Sequence, residues 1–412
     1  MGLNFIESVF FFYIFVGLYM LSLLVFIYVQ NRHRLFAYPS SKFEPVSIVM
    51  PCYNESKTIG GAIESLLSMD YPKEMIEIIV VDDKSKDNSV EIVKRYAEKY
   101  SNVRLIVNKR NSGGAAEPTN IGVMAAKYDY VAVSDADSVP DRDALRKMIG
   151  FLQKDPKVGA VTCAVMVDNP KSFFQKLQAI EYGVISFSRK LLDLVDSVYV
   201  TPGPFALYRK KNLIDVGLFD TKNLTQDIEI VWRFLSKGYV ARMCLDTRVH
   251  TESPAKLRAW WKQRIRWNIG GTQTLIKYKH LVFRKGMLGN FIIPFFSLSL
   301  FIGLLGLGIF LYLITRRVLV GYLSTKYSIY ASSSILVLQD LTFSASILNL
   351  FGITLFILGA LFTLFGLGAM KELKKKHINF INVAFYMMVY LSAYPLIMIV
   401  SLYKLSTGRY SW

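Results

Sequence analysis

The stretch YVAVSDADS, Tyr130–Ser138, decides the fold. A short run rich in β-prone residues, Tyr130–Val133, is followed after one serine by two aspartates one residue apart. A short apolar run ending in acidic loop chemistry is what the carboxyl end of a strand in an open α/β sheet provides, and ligands bind such sheets at those ends. The same unit recurs upstream. VSIVM (Val46–Met50) precedes an amphipathic stretch from Thr58 to Met69, IEIIVV (Ile76–Val81) precedes Ser89–Tyr100, and VRLIV (Val103–Val107) precedes Asn120–Lys127. YVAVS itself precedes Asp143–Gln153, and a further strand is predicted at Val158–Val165. This alternation predicts right-handed βαβ units and a mostly parallel sheet flanked by helices. PCYNE, DDKSKD, NKRNSGG and DADS follow the first four strands. Four polar loops on one sheet edge, two of them acidic, read as a nucleotide site.

Beyond this soluble unit the chain is written for a membrane. Of 412 residues, 52% are hydrophobic, and the net charge is +18. Four charge-free apolar runs, Ser8–Gln30, Gly286–Thr315, Leu341–Met370 and Ile378–Tyr403, each reach the roughly 20 residues that cross a bilayer core. The first lacks a cationic flank and a small-residue cleavage site, so it reads as a retained transmembrane helix rather than a signal peptide. Cations gather at Arg32 and Arg34, at Arg284 and Lys285, and in KELKKKH (Lys371–His377), which puts the long middle segment in the cytosol and both ends outside. That orientation makes Arg316–Gln339 an outer loop. Three cysteines in a cytosolic segment, Cys52, Cys163 and Cys244, imply free thiols.

Two further segments read as membrane-proximal. In SFFQKLQAIEYGVISFSRKLLD, the residues Phe173, Leu177, Ile180, Val184, Phe187 and Leu191 form one apolar helical face. This face suits a membrane surface and a protein core equally well. AKLRAWWKQRIRW combines Leu257, Trp261 and Ile265 with five cations, as a helix lying among lipid headgroups would, and Trp260 and Trp261 read as headgroup anchors. The resulting division is a transmembrane helix over 1–34, a cytosolic domain over 35–254, an interfacial helix over 255–285 and a membrane domain over 286–412.

Asp135 and Asp137 stand at i and i+2 after a strand, where both carboxylates can face one divalent cation while diphosphate oxygens complete its shell. With PCYNE, VVDDKS, TPGPFALYR, TQD and QRIRW following in that order around them, the chain resembles the membrane-embedded, cellulose-synthase-like glycosyltransferases of family 2. These include chitin, hyaluronan and poly-N-acetylglucosamine synthases. The resemblance runs from Pro51 to about Gly271 and implies a GT-A-type, Rossmann-like catalytic domain attached to about four spans.

The resemblance also implies roles. Tyr53, Glu55 and Asp83 hold the base and ribose of a UDP- or GDP-sugar. Asp135 faces the ribose and diphosphate, and Asp137 binds Mg²⁺ or Mn²⁺. Gly203 shapes the acceptor site, Asp227 is the catalytic base, Gln263 and Arg266 meet the pyrophosphate, and Trp267 meets the acceptor sugar. These residue types suit an inverting transfer: a carboxylate takes the acceptor's proton, cations stabilise the departing diphosphate, and an indole packs on a sugar's apolar face. Three positions depart from the family pattern. Gln226 replaces the usual Glu before the base, Lys84 stands where Gly is common, and Gly114 where Lys is frequent. His250 of HTESP reads as a structural histidine.

The QRIRW motif is associated with processive synthases, but the helix count favours a membrane lipid or lipid-linked glycan as the acceptor. The alternative is a processive synthase that exports its polymer, and four spans are few for a channel unless an accessory membrane subunit completes it. A nucleic-acid-binding membrane protein would account for the charge but leaves the acidic loops without purpose, so no nucleic-acid partner is expected. A transporter is disfavoured because no apolar run holds an ionisable residue.

Overall fold

The computed structural model describes residues 5–331, 347–373 and 378–410. The strands are β1 (Val46–Cys52), β2 (Ile76–Asp82), β3 (Val103–Val107), β4 (Tyr130–Val133), β5 (Ser138–Pro140), β6 (Val158–Val167), β7 (Ala206–Arg209) and β8 (Val240–Thr251). They form one sheet of order β3-β2-β1-β4-β7-β6-β8-β5. The β3-β2-β1-β4 half is parallel throughout, as the alternating sequence requires. The far half is mixed: β6 and β8 run parallel, while β7 lies antiparallel between β4 and β6, and β5 antiparallel on β8. The short strands β5 and β7 carried no signal because three or four residues are too few to display a period.

Helices cover both faces. α1 (Phe5–Asn31) precedes the sheet. The others within it are α2 (Ile59–Leu67), α3 (Ser89–Lys99), α4 (Ala116–Ala125), α5 (Ala144–Lys154), α6 (Phe173–Asp193), α7 (Lys210–Asp215) and α8 (Gln226–Ser236). Alternate residues of β1 and β2 point to opposite cores. Ile48, Met50, Ile78 and Val80 pack with α2, α3 and α5, whereas Val49, Ile79 and Val81 pack with α4 and α8. Burial on both faces is why these strands read as continuous apolar runs. α4 begins four residues before the sequence expectation, because Pro118 falls in its first turn, where no intrahelical N–H is needed.

The rest of the chain is helical: α9 (Leu257–Tyr278), α10 (Ile293–Tyr330), α11 (Ile347–Ala369), α12 (Phe380–Phe385) and α13 (Tyr394–Thr407). Among the described residues three helical stretches are long and apolar enough to cross a membrane, Glu7–Arg34, Leu288–Tyr330 and Phe380–Thr407. α11 is a fourth apolar helix of 23 residues. Residues 341–346 of the third apolar run, and 374–377 of its basic flank, lie outside the described residues. The outer loop expected at 316–339 is corrected in its first half. α10 continues through Arg316, Arg317 and Lys326 to Tyr330, with no proline in that stretch to break it; residues 332–339 are outside the described residues.

α6 joins the two parts of the molecule. Its apolar face, Leu177, Ile180, Phe187 and Leu191, is buried, and Phe187 packs against Tyr28 of α1 and against Phe362 and Phe365 of α11. Below α11, Arg248 of β8 donates from Nη1 to Glu372 (2.7 Å) and from Nη2 to the carbonyl of Met370 (2.6 Å). The C-terminal end of α11 is thereby tied to the sheet domain.

Candidate active site

The strand order reverses between β1 and β4, which pair in parallel: α2, which follows β1, lies on one face of the sheet and α4, which leads into β4, on the other. Such a switch point leaves a crevice at the carboxyl ends of both strands. A cleft of about 750 Å³ opens there. Tyr53, Glu55, Asp83, Asp135, Asp137, Gly203, Asp227, Gln263, Arg266 and Trp267 all line it. The ten candidate residues come from six separate loops and helices and meet in one cavity.

The loops after β1 and β2 are tied together. Asn54 takes a left-handed φ of 57°, donating from its amide to Ser85 Oγ (2.9 Å) and accepting from Lys86 N at Oδ1 (2.8 Å). Lys84 also sits in the left-handed region, at φ 64°. That conformation is the physical reason glycine suits this position, and the non-glycine residue bears a strain of about 1 kcal/mol. The Asp83 carboxylate is buried and accepts from Asn108 Nδ2 (2.9 Å), Ser112 N (2.9 Å) and Ser112 Oγ (2.8 Å). Its orientation is fixed from the β3 loop. Tyr53 stays exposed at the rim, while Glu55 accepts from Thr58 Oγ1 (2.8 Å). Burial raises the Glu55 pKa, with the charges of Asp137, Glu252 and Asp87 acting in the same direction and the Thr58 hydrogen bond opposing them.

At the centre, Asp135 rests on Gly203: a Cβ at 203 would lie 2.9 Å from Asp135 Oδ2. Burial, followed by the charges of Asp137 and Asp227, pushes the Asp135 carboxyl up to about 8, against the pull of Arg266. Asp137 Oδ1 accepts from Ser138 Oγ (2.8 Å) and Thr251 Oγ1 (3.3 Å). Asp227 occupies the first turn of α8, where Ile228 N donates to its Oδ1 (3.1 Å). Burial raises its pKa, and Arg266 is the largest opposing influence. The crowding of Asp135, Asp137 and Asp227 is a field that a bound cation would relieve. No group of three or more metal-ligating side chains occurs among the described residues. A cation at Asp137 would therefore need oxygens from elsewhere to complete its shell, which is how Mg²⁺ and Mn²⁺ are held with substrate phosphates. The residues present fit such an ion.

α9 supplies the opposite wall. Gln263, Arg266 and Trp267 stand at i, i+3 and i+4, so one face of the helix carries all three into the cleft. Gly270, a turn further on, lets α9 lie against the loop before Asp227: a Cβ there would be 2.2 Å from Thr225 Oγ1. Two readings of this helix are corrected. Trp260 is not a headgroup anchor, because it is buried and donates from Nε1 to the Tyr390 hydroxyl (2.6 Å). Arg264 is not a surface cation but fully buried, paired with Glu181 of α6, with Tyr394 (3.1 Å) and Tyr390 (3.2 Å) around it. Its Nη1 donates to Gln263 Oε1 (2.7 Å), and its guanidinium lies 4.1 Å from the centre of the Trp267 ring.

Several lining residues escaped the sequence reading. Tyr182, Ile185, Ser186 and Arg189 of α6 face the cleft. Their spacing of three, one and three is a second helical face, hidden behind the more conspicuous apolar one. Of the three departures, Gly114 and Gln226 line the cleft, and Gln226 Oε1 is buried without a partner. His250 does not line it; its Nε2 lies 3.6 Å from Asp141 Oδ1.

A mixed sheet of this order, with paired carboxylates at its switch point and cations on the facing helix, defines a GT-A-type glycosyltransferase. Comparison with known proteins agrees. The family model for glycosyl transferase family 2 matches residues 47–217. Poly-β-1,6-N-acetyl-D-glucosamine synthase of Staphylococcus aureus (strain COL) is 32% identical over 281 residues, 67% of each chain. The synthase of the same name from Staphylococcus epidermidis is 35% identical over 250 residues, 60% of this chain and 59% of the relative. The chain belongs to glycosyl transferase family 2, on its membrane-embedded side. Its fold also matches a mannosyltransferase from Pyrobaculum calidifontis, solved with GDP-Man and Mn²⁺, at a TM-score of 0.55 and 19% identity across 94% of this chain and 96% of that one.

Proposed function

We propose that this enzyme moves a hexose or N-acetylhexosamine, with inversion, from a UDP- or GDP-sugar to a hydroxyl of a membrane-associated glycan such as a lipid-linked oligosaccharide. The observation that carries this is the convergence of Tyr53, Glu55, Asp83, Asp135, Asp137, Gly203, Asp227, Gln263, Arg266 and Trp267 on one cleft. Tyr53 stacks on the base, Glu55 and Asp83 hold base and ribose, and Asp135 faces the ribose and diphosphate. Asp137 holds Mg²⁺ or Mn²⁺, which when bound neutralises charge on the diphosphate. Gln263 and Arg266 donate to the pyrophosphate oxygens as they gather charge. Asp227 accepts the proton of the acceptor hydroxyl while that oxygen attacks the anomeric carbon from behind. Gly203 keeps the acceptor path open, and Trp267 offers its face to the acceptor sugar.

In this reading residues 1–34 anchor the chain, 35–254 catalyse transfer in the cytosol, 255–285 lie at the interface and 286–412 span the membrane. A second reading, processive synthesis of a β-linked polymer, draws support from the Staphylococcus relatives, whose name is that of a polymer synthase. The test uses purified protein with Mg²⁺ or Mn²⁺, a panel of UDP- and GDP-sugars, and membrane extract as acceptor, with products sized by mass. Addition of one or a few sugars supports the first reading, and a ladder of long polymer supports the second. Protein that neither binds nor turns over any donor refutes both.

A further inference from the structure

Arg189 enters the cleft from α6, on the side of Asp227, and has no role in the mechanism above. It is 6% exposed, yet its Nε and Nη1 find no hydrogen-bond partner. The residue preceding Asp227, which lines the same cavity, repeats the anomaly with opposite polarity, since Gln226 Oε1 is a buried acceptor with no donor. Buried polar atoms without partners are rare and call for a reason, and in a cleft a bound ligand can supply it. The charges of Arg189 and Asp227 act on each other, and Gln226 adjoins Asp227 in the chain, so both orphans belong to the neighbourhood of the carboxylate read as the base.

The polarity of the two orphans restricts the ligand. An ionised phosphate or carboxylate carries acceptors only. It would satisfy Arg189 but leave Gln226 Oε1 bare. A sugar hydroxyl both donates and accepts, so neighbouring hydroxyls on one pyranose satisfy the two residues together. The chemistry of Asp227 agrees. A lipid phosphate is already ionised at neutral pH and attacks without help, whereas an alcohol needs its proton removed. A carboxylate base with a free donor and a free acceptor in its neighbourhood is equipped for an alcohol.

We propose that Arg189 and Gln226 form the acceptor subsite of this enzyme, gripping hydroxyls of a neutral sugar that already ends the acceptor glycan. The substrate is then a primed glycan, and a separate reaction must place the first sugar on the lipid. The proposal rests on the glycosyl-transfer reading and narrows it to one acceptor class.

The experiment takes the full-length enzyme with the donor it turns over, and offers in parallel a short neutral N-acetylglucosamine oligosaccharide and vesicles containing polyprenyl phosphate. Wild type is expected to use the oligosaccharide at least tenfold better. Arg189→Met and Gln226→Leu are expected to raise the oligosaccharide KM about tenfold while leaving nucleotide-sugar Kd within twofold, and Arg189→Lys to recover part of the loss. Should Arg189→Met fail to fold, Gln226→Leu and Arg189→Lys carry the same KM test. Preferential use of polyprenyl phosphate, or variants with unchanged acceptor KM, would overturn the subsite alone. Wild type that turns over no nucleotide sugar would bring down the underlying reading with it.

Discussion

Gly203 and Asp135 are in contact through the one residue type that leaves room, because a methyl group at 203 would sit 2.9 and 3.0 Å from the two carboxylate oxygens. The neighbour is not a flexible tip but a short side chain at the focus of the cleft. Gly203→Ala must therefore push that carboxylate aside by several tenths of an ångström. We expect kcat/KM to fall about tenfold to a hundredfold, equivalent to roughly 1.4–2.7 kcal/mol, with the melting temperature nearly unchanged. Steady-state kinetics beside a thermal melt checks this, and activity within twofold of wild type would mean that the contact is idle.

Asp227→Asn keeps the shape of the first turn of α8 and the amide of Ile228 supplied with an acceptor oxygen. It removes only the basic charge. Transfer should drop by about 10²–10⁴-fold, the usual contribution of a positioned acid or base, while nucleotide-sugar affinity holds within a few-fold. Titration of donor against the variant decides the matter. Loss of both together would take Asp227 out of the base role.

The sequence exposed the parts of this architecture that have a period or a fixed spacing. Strands β1 and β2, between Val46 and Asp82, are buried on both faces, so their apolar runs announce themselves, and Gln263, Arg266 and Trp267 share a helical face by arithmetic alone. What stayed hidden depends on contacts far apart in the chain. Arg264 looks like one more cation in a basic helix until Glu181 and Tyr390 are brought to it. Arg189 looks like solvent-facing punctuation between Phe187 and Leu191 until α6 is laid against the cleft. Strands β5 and β7 are defined by their partners rather than by their own residues.

The pH dependence of stability has a definite sign. Asp135 has its folded-state pKa raised to about 8 by burial and by Asp137 and Asp227, from an ordinary value near 3.9. Its contribution to stability is complete below about pH 4 and is lost as pH rises through about 8. A divalent cation requires the ionised carboxylates and displaces their protons, so its stabilisation grows over the same window. Melting curves from about pH 5 to 8 should show the Mn²⁺-dependent rise in Tm increasing with pH, and Asp135→Asn should flatten that trend. A cation shift independent of pH would count against cation binding among these carboxylates.

The Arg264–Glu181 pair ties the last long apolar helical stretch to the cleft, since Tyr390 and Tyr394 both donate to Glu181 while Arg264 carries Gln263 and Trp267 on its other side. Breaking a buried pair strands a charge, and Glu181→Gln or Arg264→Met alone should cost about 3–5 kcal/mol, a fall in Tm of order 10 °C at roughly 2–4 °C per kcal/mol. Replacing both partners with apolar side chains, Glu181→Leu with Arg264→Met, removes the stranded charge and should recover most of the stability. Activity should not follow. With no guanidinium to donate to Gln263 Oε1 or to lie over the Trp267 ring, two cleft residues lose their support, and kcat/KM should remain at least tenfold down in the double variant. Thermal melts and kinetics on the same four proteins separate the two effects, and a double variant that regains stability and full activity together would reduce the pair to a packing element.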